Sequence, residues 1–224
     1  MSRQHPATGL DADRERALAM VGVSRETLAR LDRFTELLLA WQSRINLISP
    51  STIPTLWTRH VADSLQLLQL VDPGVWLDLG SGGGFPGLVI ACALADVPGT
   101  RVHLVESNLK KVAFLREAVR ELHVPAIVHA ARIETMADTL GPVDYVTARA
   151  LAPLPELFEM SAPFLKKGAK AVFPKGQDLE RELTEATKNW NIEADSVPSK
   201  TSKAGRILIV RALSKRPPTL PSNR

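Results

Sequence analysis

From Asp78 to Gly87 the chain reads Asp-Leu-Gly-Ser-Gly-Gly-Gly-Phe-Pro-Gly, with five glycines between positions 80 and 87. The run follows a short apolar segment, Val75-Trp-Leu-Asp-Leu79, and precedes an apolar stretch, Leu88–Leu94. Glycines at a strand-to-helix turn let the backbone adopt positive φ and approach a ligand without Cβ interference. The helix that follows aims its free N–H groups at that ligand. Glu106, nineteen residues beyond Gly87, is placed to accept both ribose hydroxyls of an adenosine. Two ligand classes satisfy this pattern. Gly82-x-Gly84-x-x-Gly87 matches the dinucleotide fingerprint. Asp78-x-Gly80-x-Gly82-x-Gly84 equally matches a site for S-adenosylmethionine (SAM), where Asp78 would hold the ammonium group and the loop. A pyrophosphate would gain nothing from a carboxylate there, which weights the choice toward SAM without closing it.

If the ligand is a methyl donor, the acceptor must offer a lone pair. Methylation of exocyclic base amines relies on an Asn/Asp-Pro-Pro-aromatic loop after the fourth strand, but that position reads Thr147-Ala-Arg149-Ala-Leu-Ala-Pro153. Attack through pyrimidine C5 needs a thiolate, and the single cysteine, Cys92, lies within the apolar helix and is expected in the core. Guanine N7 is already a free lone pair and asks only for positioning and charge compensation. Outside the glycine loop, Arg59, His60, Asp63 and Ser64 cluster on one helical stretch with 59/63 and 60/64 at i,i+4 spacing. A surface ion pair and a helix-satisfied histidine would explain that cluster, but its place beside the loop marks His60 as facing the pocket. Lys175-Gly176 follows the fifth strand, where a lysine would reach a phosphate or guanine O6. Lys203 and Arg206 border the last strand pair as candidate phosphate contacts. Lys110, Lys111, Arg116 and Arg120, interleaved with Glu117 and Glu121, read as a solvated helix face.

The elements that must position these residues follow from periodicity. After a polar lead-in with weak helical character (1–23), Leu28, Leu31, Phe34, Leu38, Trp41 and Ile45 recur at helical steps behind a Ser24 N-cap. A second helical stretch from Ile53 to Val71 completes an N-terminal helical cap spanning 24–72. From 73 to 213, five strands alternate with helices, and two late strands are joined by a short polar connector. That order predicts a Rossmann-like α/β fold, a mostly parallel seven-stranded sheet with an antiparallel last strand. The basic tail, 214–224, is expected to be disordered.

Taken in order, Trp41…Asn46-Leu47, Arg59-His60-x-x-Asp63-Ser64, Asp78-x-Gly-x-Gly-x-Gly-x-Pro-Gly87, Arg132-Ile133-Glu134, Arg149-Ala150 and Lys175-Gly176 resemble the RsmG (GidB) family of bacterial 16S rRNA methyltransferases from about residue 24 to 213. The resemblance implies methyl transfer from SAM to N7 of a guanine in the 530 loop. It carries the SAM contacts to Gly80, Phe85, Ile133, Glu134 and Arg149. Phe85 and Ile133 would flank the adenine or methionine portion, Glu134 would border the adenine, and Arg149 would sit near the SAM carboxylate or the target base. Where many members have Asp at the end of the second strand, this chain has Glu106. With Asp78, Gly82 and Gly84 these form the expected cofactor site; His60, Arg149 and Lys175 are the expected catalytic residues, and Arg59, Lys203 and Arg206 the expected RNA contacts. No metal is expected. The partner would be 16S rRNA, in the small ribosomal subunit or its precursor, met by a cytoplasmic monomer. A small-molecule methyltransferase, a nicotinamide-dependent oxidoreductase and a non-enzymatic nucleic-acid binder remain open as alternatives.

Composition bounds these readings. The 224 residues are 45% hydrophobic and 23% charged, enough for one domain with a sizeable core. The longest apolar run, Leu88–Ala95, is too short to span a bilayer, and the polar N-terminus lacks the apolar stretch of a secretory signal. One cysteine excludes an internal disulfide and a cysteine-clustered metal site. The net charge of +4 concentrates at the C-terminal end: residues 195–224 carry seven Lys/Arg and one Asp, whereas 76–150 carry seven against eight acids. A polyanion would meet the chain there.

Overall fold

The computed structural model describes residues 9–217. Seven strands form one sheet in the order β3-β2-β1-β4-β5-β7-β6. They are β1 (Val75–Leu79), β2 (Arg101–Glu106), β3 (Ala126–Ala130), β4 (Tyr145–Thr147), β5 (Lys170–Lys175), β6 (Trp190–Pro198) and β7 (Arg206–Lys215). The first five pair in parallel, whereas β7 runs antiparallel to both β5 and β6. The strand order reverses between β1 and β4, so the crevice beyond their carboxyl ends is where an open α/β sheet receives a ligand.

Central strands are apolar on both faces because helices cover both. On one face Trp76, Val102 and Leu104 pack against α4 (Gly87–Ala93), α5 (Leu109–Leu122) and Leu31, Phe34 and Leu38 of α2 (Arg25–Gln42). Ser24 caps α2 by accepting from the Thr27 N–H, and the Asn108 side chain caps α5. On the other face Leu77, Leu79, Val105 and Phe173 meet α6 (Met136–Thr139), α7 (Leu154–Leu165) and α8 (Leu179–Ala186). The short α6 and the 3-10 turn before it (Ile133–Thr135) are too brief for a helical period to show in the sequence. No helix among the described residues is long and apolar enough to cross a membrane.

The chain departs from expectation at three places. A formed helix occupies the segment expected to be a polar lead-in of only weak helical character: α1 (Gly9–Met20) packs on the residues just before His60. Its hydrophobic stripe is too thin to announce it. What fixes it is Asp13, 1% exposed, which accepts from the Trp57 and Thr58 N–H groups and the Thr58 hydroxyl at 2.9, 3.0 and 2.6 Å. Secondly, the stretch expected as one regular helix is wound in turn as 3-10 (Pro50–Thr55), π (Trp57–Ala62), α (α3, Asp63–Leu65) and 3-10 (Gln66–Gln69). Pro54 lies inside the first turn and deprives it of a regular N–H. At the other end of the chain, Ser214 and Lys215 belong to β7 rather than to a disordered tail; 218–224, like 1–8 of the lead-in, lie outside the described residues.

Replacing Asp13 with Ala orphans two backbone donors at a buried site, so Asp13→Ala should cost about 2–3 kcal/mol of stability. Urea denaturation followed by circular dichroism measures it, and an unchanged midpoint would show that α1 does not anchor the cap.

Candidate functional site

A cavity of about 550 Å³ opens at the switch point, within the size range of small-molecule sites. Four segments wall it: Gly80–Gly83 with Phe85 after β1, Arg149–Ala150 after β4, Lys175–Gly176 at the end of β5, and the cap residues Ser49, Thr52, Arg59, His60 and Asp63. The turn of the β6–β7 hairpin, including Ser199, Ser202, Gly205 and Arg206, closes a further side.

The glycine loop is tied down by two carboxylates. Gly80 and Gly82 have φ of +68° and +53°, conformations that L side chains rarely adopt. The Gly82 N–H donates to Glu106 Oε2 at 3.0 Å, while Glu106 Oε1 accepts from the Asn108 N–H at 2.8 Å. Glu106 therefore braces the loop and keeps lone pairs for further donors. Asp78 does not face the cavity as expected. It is fully buried beneath the loop, where Oδ2 accepts from the Gly87 N–H at 3.1 Å and Oδ1 has no partner. Burial raises its pKa to about 7 despite that donor. A Cβ on Gly87 would lie 2.6 Å from Asp78 Oδ2, so this last glycine exists for close packing. Gly84, at φ +88°, turns toward Leu88 and Phe34 rather than lining the cavity.

Arg149 is the hub of the opposite wall. Its guanidinium lies over the Phe85 ring, 5.0 Å from the centroid, and donates to the Arg59 carbonyl at 3.1 Å and His60 Nδ1 at 2.5 Å. The closest carboxylate recorded for it, Asp63 Oδ2, is 3.9 Å away. Burial pulls the arginine pKa down. The following residue, Ala150, sits at φ +51°, a strained conformation for a residue with a Cβ. Phe85, 4% exposed, is the platform under both Arg149 and His60, with the imidazole 4.9 Å from its ring. That buried ring presents little surface for the flanking role expected of it.

His60 reaches the cavity, but as a neutral, fully committed imidazole. Burial, then the charges of Arg149 and Arg59, lower its pKa to about 3. A guanidinium only donates, so Nδ1 is the acceptor and Nε2 carries the proton. Nε2–H then donates to Thr52 Oγ1 at 2.8 Å, and that hydroxyl passes its own hydrogen to the Ser49 carbonyl at 2.7 Å. The i,i+4 ion pair of Arg59 with Asp63, the structural alternative for this cluster, does not form, because the π winding rotates the two apart. Asp63 turns to the hairpin instead, its Oδ1 accepting from Thr201 Oγ1 at 2.6 Å and Gln66 Nε2 at 2.9 Å.

The remaining expected residues divide. Lys175 lines the cavity, yet Nζ is held by Glu182 at 2.6 Å and weakly by the Ala152 carbonyl at 3.4 Å. Arg59 is exposed at the mouth, and Lys203 is exposed on the hairpin turn. Arg206 lines the cavity with its side chain bonded to Ser196. Ile133 and Glu134 occupy the short turn after β3, outside the cavity wall; Ile133 is half-buried against the second core and Glu134 exposed. Cys92 is buried, its thiol pushed up to about 12, as expected of a core residue. Among the described residues no group of three metal-ligating side chains comes together.

Sequence reasoning missed the clamp on the hairpin. Gln66, 2% exposed, accepts from the Lys200 N–H at 2.8 Å and donates to Ser199 Oγ at 3.1 Å. No local motif announces an amide whose hairpin partners lie more than 130 residues away.

Two measurements test this geometry. Nitrogen-15 NMR of the His60 ring should show the Nε2–H tautomer with no protonation above pH 5, and a titration near 6.5 would contradict the Arg149 contact. Because folding lowers this pKa from 6.5 to about 3, His60 contributes stability that is complete above 6.5 and is lost as pH falls toward 3. Gln66→Ala should accelerate amide hydrogen exchange across 199–205 at least tenfold while leaving β1–β5 protected. Equal rates in both proteins would show that the clamp holds nothing.

Comparison with known proteins places this site in context. The family model for rRNA small subunit methyltransferase G matches residues 27–209. A Ribosomal RNA small subunit methyltransferase G from Bradyrhizobium sp. is 55% identical over 206 residues, covering 91% of this chain and 93% of the relative. A protein of the same name from Nitrobacter hamburgensis is 56% identical over 212 residues, covering 93% and 82%. Among solved structures, cofactor-bound Rv0187 from MTB superposes with a TM-score of 0.59 at 16% identity, covering 93% of this chain and 99% of that one. An O-methyltransferase from Bacillus cereus in complex with SAH gives 0.59 at 14% identity, covering 89% and 96%. These two share the fold, and the matched sequences carry the assignment: the chain belongs to the rRNA small subunit methyltransferase G family.

Proposed function

We propose that this chain, a SAM-dependent methyltransferase of small-subunit rRNA, acts on N7 of a guanine in the 530 loop of 16S rRNA. The observation that carries the choice of acceptor is the state of the cavity's titratable groups. His60 has both ring nitrogens committed. Asp178 is paired with Arg181, Glu182 with Lys175, and Asp63 is bonded to Thr201 and Gln66. An acceptor that must lose a proton before attack would find no idle base among these groups. Guanine N7 has no proton to lose.

The residues present fit the cofactor. The positive-φ glycine loop gives a backbone cradle, and Glu106 retains acceptor capacity for ribose hydroxyls. Arg149 is a largely desolvated cation whose recorded carboxylate neighbour, Asp63, stays 3.9 Å away, which suits it to the cofactor's α-carboxylate. Asp78 acts from beneath by fixing Gly87. Ile133 and Glu134, on the turn after β3, remain the proposed border of the adenine. SAM, when bound, supplies an electrophilic methyl on a sulfonium.

What the chain adds is orientation and charge. His60 holds the Arg149 fork in plane, and Thr52 holds His60. Lys175 keeps one ammonium hydrogen beyond its bonds to Glu182 and Ala152, available to guanine O6. As methylated guanine becomes cationic, the acids Asp63, Asp178 and Glu182 in the cavity wall offset that charge. Arg59, Lys203 and Arg206 are the proposed phosphate contacts at the mouth.

The test is methyl transfer from SAM to 16S rRNA taken from cells lacking the family's enzyme, with the product located by chain cleavage at 7-methylguanine. Wild type should modify one guanine of the 530 loop. Arg149→Ala should reduce the rate about 10²-fold through lost positioning, and Arg149→Lys should restore little because a point charge cannot replace the fork. Modification of another atom or another loop would refute the assignment.

A further inference from the structure

Lys110 and Lys111 read in the sequence as part of a solvated helix face, and the structure separates them from it. Along the surface shared by α2 and α5, Arg30 pairs with Asp96, Arg33 with Glu36 and Glu121, and Arg120 with Glu121, while Arg116 stands unpaired among the described residues. At the end of that surface beside the glycine loop the pattern stops. Arg44, Lys110 and Lys111 have no carboxylate within ion-pairing distance among the described residues, and Arg44 and Lys110 are exposed. The acids closest in sequence are already engaged, Glu106 with the Gly82 and Asn108 N–H groups and Glu117 with the Trp41 indole.

These three cations and Asn46 line a notch of about 330 Å³. Lys111 also lines the main cavity, so notch and cavity share a wall. Next to it Leu109 is 74% exposed, one of the few large apolar side chains left in water. Unpaired Arg and Lys beside an amide side chain form the donor set that grips phosphodiester oxygens without reading sequence. The exposed leucine offers an apolar surface to a base or ribose face. The notch lies at the loop between α2 and the 3-10 turn, whereas Lys203 and Arg206 lie on the hairpin that closes another side of the cavity.

We propose that the Arg44–Lys110–Lys111 notch is a second phosphate-binding site for the rRNA strand. It holds the backbone on one side of the target nucleotide while the hairpin cations hold it on another. The proposal rests on the rRNA reading above and adds the path of the strand: the RNA crosses the cavity mouth from the α5 end to the hairpin.

The test uses Arg44→Ala/Lys110→Ala, which spares the cavity-lining Lys111, with Arg116→Ala/Arg120→Ala on the same helix as control. Affinity for unmethylated 16S rRNA is measured against salt, and SAM affinity by calorimetry. The notch variant should bind RNA about tenfold more weakly at 0.1 M salt, with the log–log salt slope reduced by about 1.4, as expected for two lost single-strand contacts. Its SAM affinity and the control's RNA affinity should match wild type. An unchanged slope would overturn the proposal, as would an equal loss in the control or a parallel loss of SAM affinity, which would assign the notch to the cofactor. If wild type itself neither binds nor methylates the rRNA, the functional assignment falls and this proposal with it. If wild type does both and the notch variant matches it, only the notch is lost.

Discussion

A backbone that turns through three positive-φ glycines within five residues has little reason to hold one shape by itself, since glycine loses more freedom on folding than any other residue. The shape comes from two carboxylates at the ends of neighbouring strands. Asp78 ends β1 one residue early and reaches under the loop to the Gly87 N–H; Glu106 ends β2 and reaches across to the Gly82 N–H. The parallel register of β1 and β2 sets Asp78 opposite Leu104, two residues before Glu106, so the two carboxylates reach the loop from neighbouring strands. Everything on the cavity floor inherits its position from that pair of bonds. The arrangement has a cost. Burial lifts Asp78 to about 7 from 3.8, so its contribution to stability is complete below 3.8 and is lost as pH rises through 7. A fold under pressure for stability alone would place an apolar residue there, which marks the loop rather than the core as the reason for the acid.

Arg149 does for the upper wall what the two acids do for the floor. It leaves β4 into a strained Ala150, crosses to the cap, and bonds the Arg59 carbonyl and the His60 ring. The cap is therefore part of the site and not an appendage to it. The same helical segment grips the β6–β7 turn through Asp63 and Gln66. Three pieces distant in sequence close one crevice: residues near 60, near 149 and near 200. The π winding of Trp57–Ala62 helps by freeing Asp63 from Arg59, so that the carboxylate can face Arg149 and the hairpin together.

The sheet was legible because its signals are local. Alternating strands and helices and a glycine run at the first turn report on a few neighbouring residues each, and all seven strands fall where apolar runs predicted them, within a few residues. The irregular cap was not legible, since 3-10, π and α turns present nearly the same apolar spacing over two turns. Helix α1 showed in the sequence only as weak helical character because its anchor is a single buried carboxylate rather than an apolar stripe. At the site, residue identity outran residue role. His60, Arg149 and Lys175 do converge on the cavity, but neutral His60 and ion-paired Lys175 depend on partners at Thr52 and Glu182, which no spacing rule links to them. Asp78 was legible as special; that it points down rather than inward depends on which face of β1 its side chain takes.

The electrostatic layout constrains what the crevice accepts. Acids in the wall are paired or hydrogen-bonded, so they hold their positions while the interior offers little net negative charge to an incoming cation. The cations Arg59, Lys111 and Arg206 border the opening, and Lys110, Arg44 and Lys203 stand outside it. A small neutral substrate would gain little from such a rim. A polyanion gains from it before any base enters the cavity, because phosphate contacts attract and orient without reading sequence. Specificity then has to come from the interior, where His60, Arg149 and Lys175 are fixed by other side chains and cannot adapt. A loose, salt-sensitive rim around a rigid, desolvated centre is the division of labour expected of an enzyme that must find one nucleotide in a long polyanion and act on an atom that needs no activation.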